Sequence, residues 1–127
     1  MAHRSRLAGF IIDCHVDDLE KASSFWSGAL GFRVGDHEKE EGGTEYISLE
    51  GSPSHQYVAV QKVGHASRVH LDIEADDQDA EVARLEALGA KRIGWVKRWW
   101  VMEAPTGQRF CVVKMKEPDK GPAPNQW

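Results

Sequence analysis

A chain of 127 residues is one domain, or two small halves sharing one core. With 41% hydrophobic and 28% charged residues it reads as an ordinary globule, and its net charge of −4 argues against a nucleic-acid backbone as partner. No apolar run approaches the roughly 18 residues that span a bilayer, the start "MAHRSRLAGF" lacks the apolar stretch of a signal peptide, and two cysteines make no disulfide framework, so the expected compartment is the cytoplasm.

The first expected element is a strand over "FIIDCHV". Phe10, Ile12 and Cys14 share one of its faces; Ile11, Asp13 and His15 share the other. "VDDLEKASSFWSGALGF" then reads as a helix. Asp17 is placed to cap its orphan N–H groups with Glu20 three residues on, and Leu19, Ala22, Phe25 or Trp26, Ala29 and Leu30 recur at helical spacing. Gly31 is the stop, free to take the left-handed conformation. Three short strands follow: "FRVGD", "TEYISLE" and "YVAVQKV".

The chain then repeats itself. "RVHLDIEADD" slides onto "FIIDCHVDD" with Asp72, Asp76 and Asp77 on Asp13, Asp17 and Asp18, and with His70 facing Ile11. A second helix runs from Asp76 as its cap through Val82, Leu85 and Leu88 to Gly89. The strands "AKRIGWV", "RWWVMEA" and "RFCVVKM" close the second half, and one constant offset aligns Glu50 with Glu103, Tyr57 with Phe110 and Val58 with Cys111. The fold class is therefore α+β, a duplication of β-α-β-β-β. Its modules cover residues 8–64 and 66–115, and the segments 1–7 and 116–127 are expected to be flexible and irregular. Val69, Leu71 and Ile73 should pack under the second helix while His70, Asp72 and Glu74 face away, with Cys111 and Val113 on that same side.

These duplicated modules resemble the glyoxalase / bleomycin-resistance / extradiol-dioxygenase family, the vicinal oxygen chelate superfamily. The residues that carry the resemblance are "VDDLEKASSFWSGALGF", the Val-His-Leu-Asp strand at 69–72 and the turn into the last strand, "EAPTGQRFCVV". The resemblance implies a curved mixed sheet forming a cup, helices on its outer face, and a homodimer. It also implies a divalent metal held at four inner strand positions, which here are Ile11, Val58, His70 and Cys111. Ile11 has no donor, and a cysteine is a soft ligand, suited to zinc rather than to hard, oxygen-preferring ions. The expected cofactor is therefore none, with zinc the one metal that His70, Cys111 and a carboxylate would suit.

The candidate site residues are His70 as a general base, with Asp13, His15, Asp72, Glu74, Trp99, Trp100 and Cys111 as ligand-binding residues. A histidine beside a carboxylate has a proton affinity suited to transfer near neutrality. Because neighbours alternate along a strand, Trp99 or Trp100 must face the cup, where an aromatic ring can stack on a flat ligand. The first reading is metal-free, bleomycin-resistance-like sequestration of an aromatic or cationic small molecule; the alternative is a lyase or isomerase using His70 as general base or a zinc site of His70 and Cys111. A module without any small ligand is the third.

Overall fold

The computed structural model describes residues 2–127, and the chain divides into two compact units, Phe10–Val69 and residues 2–9 together with His70–Trp127. Among the described residues the architecture is α+β, with two helices and nine strands, and each unit repeats one element order.

The first unit holds the second half of β1 (Arg4–Cys14), α1 (Leu19–Leu30), β2 (Arg33–Lys39), β3 (Glu45–Glu50) and β4 (Tyr57–Lys62). Its strands β2, β3 and β4 run antiparallel, with Leu49 beside Val58 and Ile47 beside Val60. Those four side chains pack with Cys14, Leu19 and Ile12 beneath α1. The cap of α1 is Asp18, one residue beyond the expected Asp17; its carboxylate accepts from the Glu20 N–H at 3.0 Å. Gly31 ends the helix at φ 73°, where a side chain would be strained.

The second unit begins with the first half of β1 and continues through β5 (Arg68–Ala75), α2 (Gln78–Ala87), β6 (Lys91–Val96), β7 (Trp99–Glu103) and β8 (Arg109–Lys114) to the short β9 (Asn125–Gln126). Strand β5 lies parallel to β8, with Asp72 beside Cys111; β7 runs antiparallel to β8, with Val101 on the other side of Cys111. Ala75, Val82, Leu85, Met102 and Val112 form the core under α2. Here too the cap is shifted by one: Asp77 takes the Ala80 N–H at 3.0 Å. The expected cap, Asp76, instead accepts from the Arg4 N–H at 2.8 Å and the Arg4 Nε at 3.0 Å.

Three expectations need correction. Leu71 does not pack under α2 but is 43% exposed, because the helix covers the strand only from Ile73 onward. Val69, in the first unit, is 57% exposed. The terminal segments join the fold: β1 starts at Arg4, and Asn125 and Gln126 pair antiparallel with Ser5 and Arg4. Finally, the alignment of the last strands slips by one. Val58 packs toward α1 as Phe110 packs toward α2, so the counterpart of Cys111 is Ala59, which is 7% exposed. A one-residue slip moves a side chain to the opposite face of the sheet.

Candidate functional site

The site is built from adjacent strands of the second unit. Along β8, Phe110 and Val112 point to α2, so Cys111 between them points away. Its parallel neighbour Asp72 points the same way, and His70 follows two residues earlier on β5. Donor atoms of His70, Asp72 and Cys111 all lie within 4.8 Å of one another, and both Asp72 and Cys111 are buried. No other trio of such donors is grouped as closely among the described residues.

His70 Nε2 stands 3.5 Å from Asp72 Oδ1. That is long for a hydrogen bond, which falls at about 2.7–3.2 Å. It is close to the edge of a zinc tetrahedron, about 3.4 Å for bonds of about 2.0–2.1 Å. The donor set also balances charge, since a thiolate, a carboxylate and a neutral imidazole offset a 2+ ion in a half-buried position. A hard ion wants six or more oxygens and finds one carboxylate here. The residues therefore fit a borderline-soft cation such as zinc better than a hard, oxygen-preferring one.

The remaining candidates divide. Glu74 shares the face of Asp72 but is held by Arg6 Nε at 2.6 Å. Trp99 alternates with Trp100 and lies on the Cys111 side; the Arg98 guanidinium stands 5.9 Å from its ring. Trp100, expected as a ligand wall, belongs to the helix side instead. It packs against the α2 core, meets the Trp95 ring edge-on at 5.4 Å, and donates its indole N–H to Asp79 at 3.2 Å. Its long ring fills core volume that a smaller residue would leave open.

Asp13 and His15 belong to the first unit and take no part in the trio. Asp13 is buried, with Arg68 Nε at 3.9 Å. His15 is exposed just past the end of β1, and its backbone N–H bonds Ser67 Oγ at 3.0 Å. Within its own unit each of Glu74 and Asp13 has an arginine beside it, Arg6 and Arg68, that sequence spacing gave no reason to place there. Cys14 lies in the core under α1, where burial and the neighbouring Asp13 push its thiol pKa up, and neither cysteine forms a disulfide.

A family model described as a glyoxalase-like domain matches residues 9–113. The chain belongs to the glyoxalase-like family. Solved structures carry the same fold at low identity. A hypothetical protein from Bacillus halodurans C-125 superposes with a TM-score of 0.67 at 12% identity, over 89% of this chain and 96% of that one. Methylmalonyl-CoA epimerase from Mycobacterium tuberculosis gives 0.65 at 17% identity, over 87% of each chain. An extradiol ring-cleaving dioxygenase from B. fuscum gives 0.56 at 21% identity, over 87% of this chain but 32% of that longer one. No curated protein matches the sequence. The glyoxalase-like domain here therefore has the vicinal oxygen chelate fold, and no helix among its described residues is long and apolar enough to cross a membrane.

Proposed function

We propose that this glyoxalase-like protein binds a small, oxygen-bearing molecule at His70, Asp72 and Cys111, with zinc held by those three side chains, in a lyase- or isomerase-type site. The supporting observation is the trio itself: nitrogen, sulfur and oxygen donors within 4.8 Å on one sheet face. Three protein ligands leave a fourth position for water or substrate, which is the pattern of catalytic rather than structural zinc. Zinc bound there would supply a Lewis acid for a substrate oxygen. The chain's own part is to fix that geometry. The β5–β8 register sets Asp72 against Cys111, and the two-residue strand repeat brings His70 onto the same face. Trp99 offers an aromatic surface on that face, and Arg6 removes the charge of Glu74 from it.

The test is a zinc titration of the purified protein against a competing chromophoric chelator. One zinc per chain is expected, with Cys111→Ser lowering affinity more than a hundredfold. Cadmium should give a thiolate charge-transfer band that Cys111→Ser lacks. Failure of wild-type protein to retain stoichiometric zinc would leave the second reading.

That second reading is metal-free sequestration of an aromatic molecule, favoured by Trp99 on the ligand face and by the donor-free Ile11. His70 beside Asp72 would then act as a hydrogen-bonding group or base. A homodimer is part of either proposal, and sedimentation equilibrium reads it directly.

A further inference from the structure

The segment Glu117–Trp127 grips the second unit at both faces of its sheet. On the helix side, the Trp127 backbone N–H donates to the His3 carbonyl at 2.9 Å, and its indole N–H donates to Ser5 Oγ at 2.8 Å. The Trp127 ring lies 3.7 Å from the Arg84 guanidinium carbon. Arg84 in turn holds the fully buried Glu81 with two hydrogen bonds, at 2.8 and 2.9 Å, and His3 Nε2 meets the same carboxylate at 2.7 Å. On the other side the segment gives the carbonyls of Pro122 and Glu117 to Arg6 Nη1 and Nη2, at 2.7 and 2.9 Å. The third guanidinium nitrogen, Nε, holds Glu74. The Arg6 and Glu74 side chains are only 8% and 15% exposed.

One guanidinium thus bridges the segment and a carboxylate that shares a strand face with Asp72 and His70. We infer that Glu117–Trp127 is a strap that sets the charge of the ligand face through Arg6, a positioning residue for Glu74. With the strap docked, Glu74 is neutralised. With it released, two Arg6 donors lose their carbonyls, and a buried cation without those partners moves toward water. The Glu74 charge is then left on the face, roughly 7 Å along the strand from Asp72. This inference concerns electrostatics alone and stands whether or not zinc binds.

Cys111, in register with Asp72, is the reporter. In metal-free protein carrying Cys14→Ala, its rates of modification by a cationic and an anionic thiosulfonate of equal size are compared; the ratio reads local charge and cancels access. Arg6→Gln should raise the cation-to-anion ratio about threefold or more, and Arg6→Lys should leave it within about twofold. Deleting residues 117–127 should shift it the same way by a smaller factor, and Trp127→Ala, which loosens the strap without removing it, by less again. Adding Glu74→Gln to Arg6→Gln should restore the starting ratio. An unchanged ratio in Arg6→Gln, or a change that Glu74→Gln fails to reverse, would overturn the inference. If the deletion unfolds the chain, Trp127→Ala decides, and an unchanged ratio in that variant overturns control by the strap.

Discussion

The two modules share an element order and differ in what each does with its two sheet faces. In the first, the face away from the helix carries Ile11 and Ala59 where the second carries His70 and Cys111. On the helix side the first presents Ala22 and Phe25, with Phe25 64% exposed and its ring edge-on to Trp26 at 5.1 Å. The second has Glu81 and Arg84 at the same repeat positions, tied to His3 and lidded by Trp127. One copy of the repeated unit carries the donor trio and a polar lock; the other has neither. The lesson is that equal backbones leave chemistry to two or three side chains per face.

The strongest way to break this comparison is to transplant the donors. Ile11→His with Ala59→Cys, together with the existing Asp13, brings the same three donor types to the corresponding face of the first module. Arg68, at 3.9 Å from Asp13, competes for that carboxylate and should be changed to Ala in the same variant. Zinc titration should then rise from one to two per chain. A stoichiometry that stays at one would show that the register-based equivalence of the two faces is wrong, and the same variant with Val58→Cys in place of Ala59→Cys tests the slipped alignment directly.

Next in size is the loss of the lock. Glu81 is fully buried and accepts from Arg84 and His3, so Glu81→Ala strands the donors of two residues at once. Removing one partner of a buried charge pair costs about 3–5 kcal/mol. Urea denaturation should show that loss, whereas Ala22→Ser, at the same position of the first module, should change stability by less than about 1 kcal/mol.

Much of this was legible before any coordinates. Helix and strand periodicities, the paired glycine stops and the Asp repeat were enough for the fold, because each is a local pattern with a direct backbone consequence. His70, Asp72 and Cys111 were legible for the same reason: parity along β5 and β8 puts them on one face. What failed was long-range or depended on a single-residue shift. Val58 and Ala59 are both small and apolar, so the sequence offered nothing to choose between them, and the choice decides which face is meant. Trp99 and Trp100 pose the same problem, settled only by the packing of Trp100 against the α2 core. Arg6 with Glu74, and Trp127 with Arg84, join residues far apart in the chain, with no spacing rule to announce them.

A smaller effect separates the modules by pH. Burial raises the Glu81 carboxyl, but hydrogen bonds from Arg84, His3 and Ser5 outweigh it and hold the group below its usual value. The Arg4 backbone N–H, with the Arg4 side chain, does the same for Asp76. A carboxyl depressed by folding contributes stability that is fully present above its unfolded value, about 4.3 for Glu and 3.9 for Asp, and is lost as pH falls through its folded value. Acid should therefore loosen the second module's strap first. Trp127 emission and amide exchange over residues 4–7 should respond below about pH 4, before residues 45–62 of the first module do; simultaneous loss in both would contradict the assignment.

The smallest predicted effect lies on the open face of the first module. Ile12, Cys14, Val16, Ala22, Phe25, Trp26 and Val69 line a shallow groove beside α1 of about 440 Å³. Phe25 is mostly in water, so Phe25→Ser removes little buried area and forfeits mainly its edge contact with Trp26, an interaction worth about 0.5–1.5 kcal/mol at most and less where solvent reaches it. Stability should fall by under about 1 kcal/mol. At the repeat-equivalent position, Arg84→Ser removes the cation beneath the Trp127 ring and both hydrogen bonds to a buried carboxylate, and should cost several times more. Measured side by side in urea, equal losses for the two substitutions would mean that Phe25 is covered in solution and that the first module's helix face is not open after all.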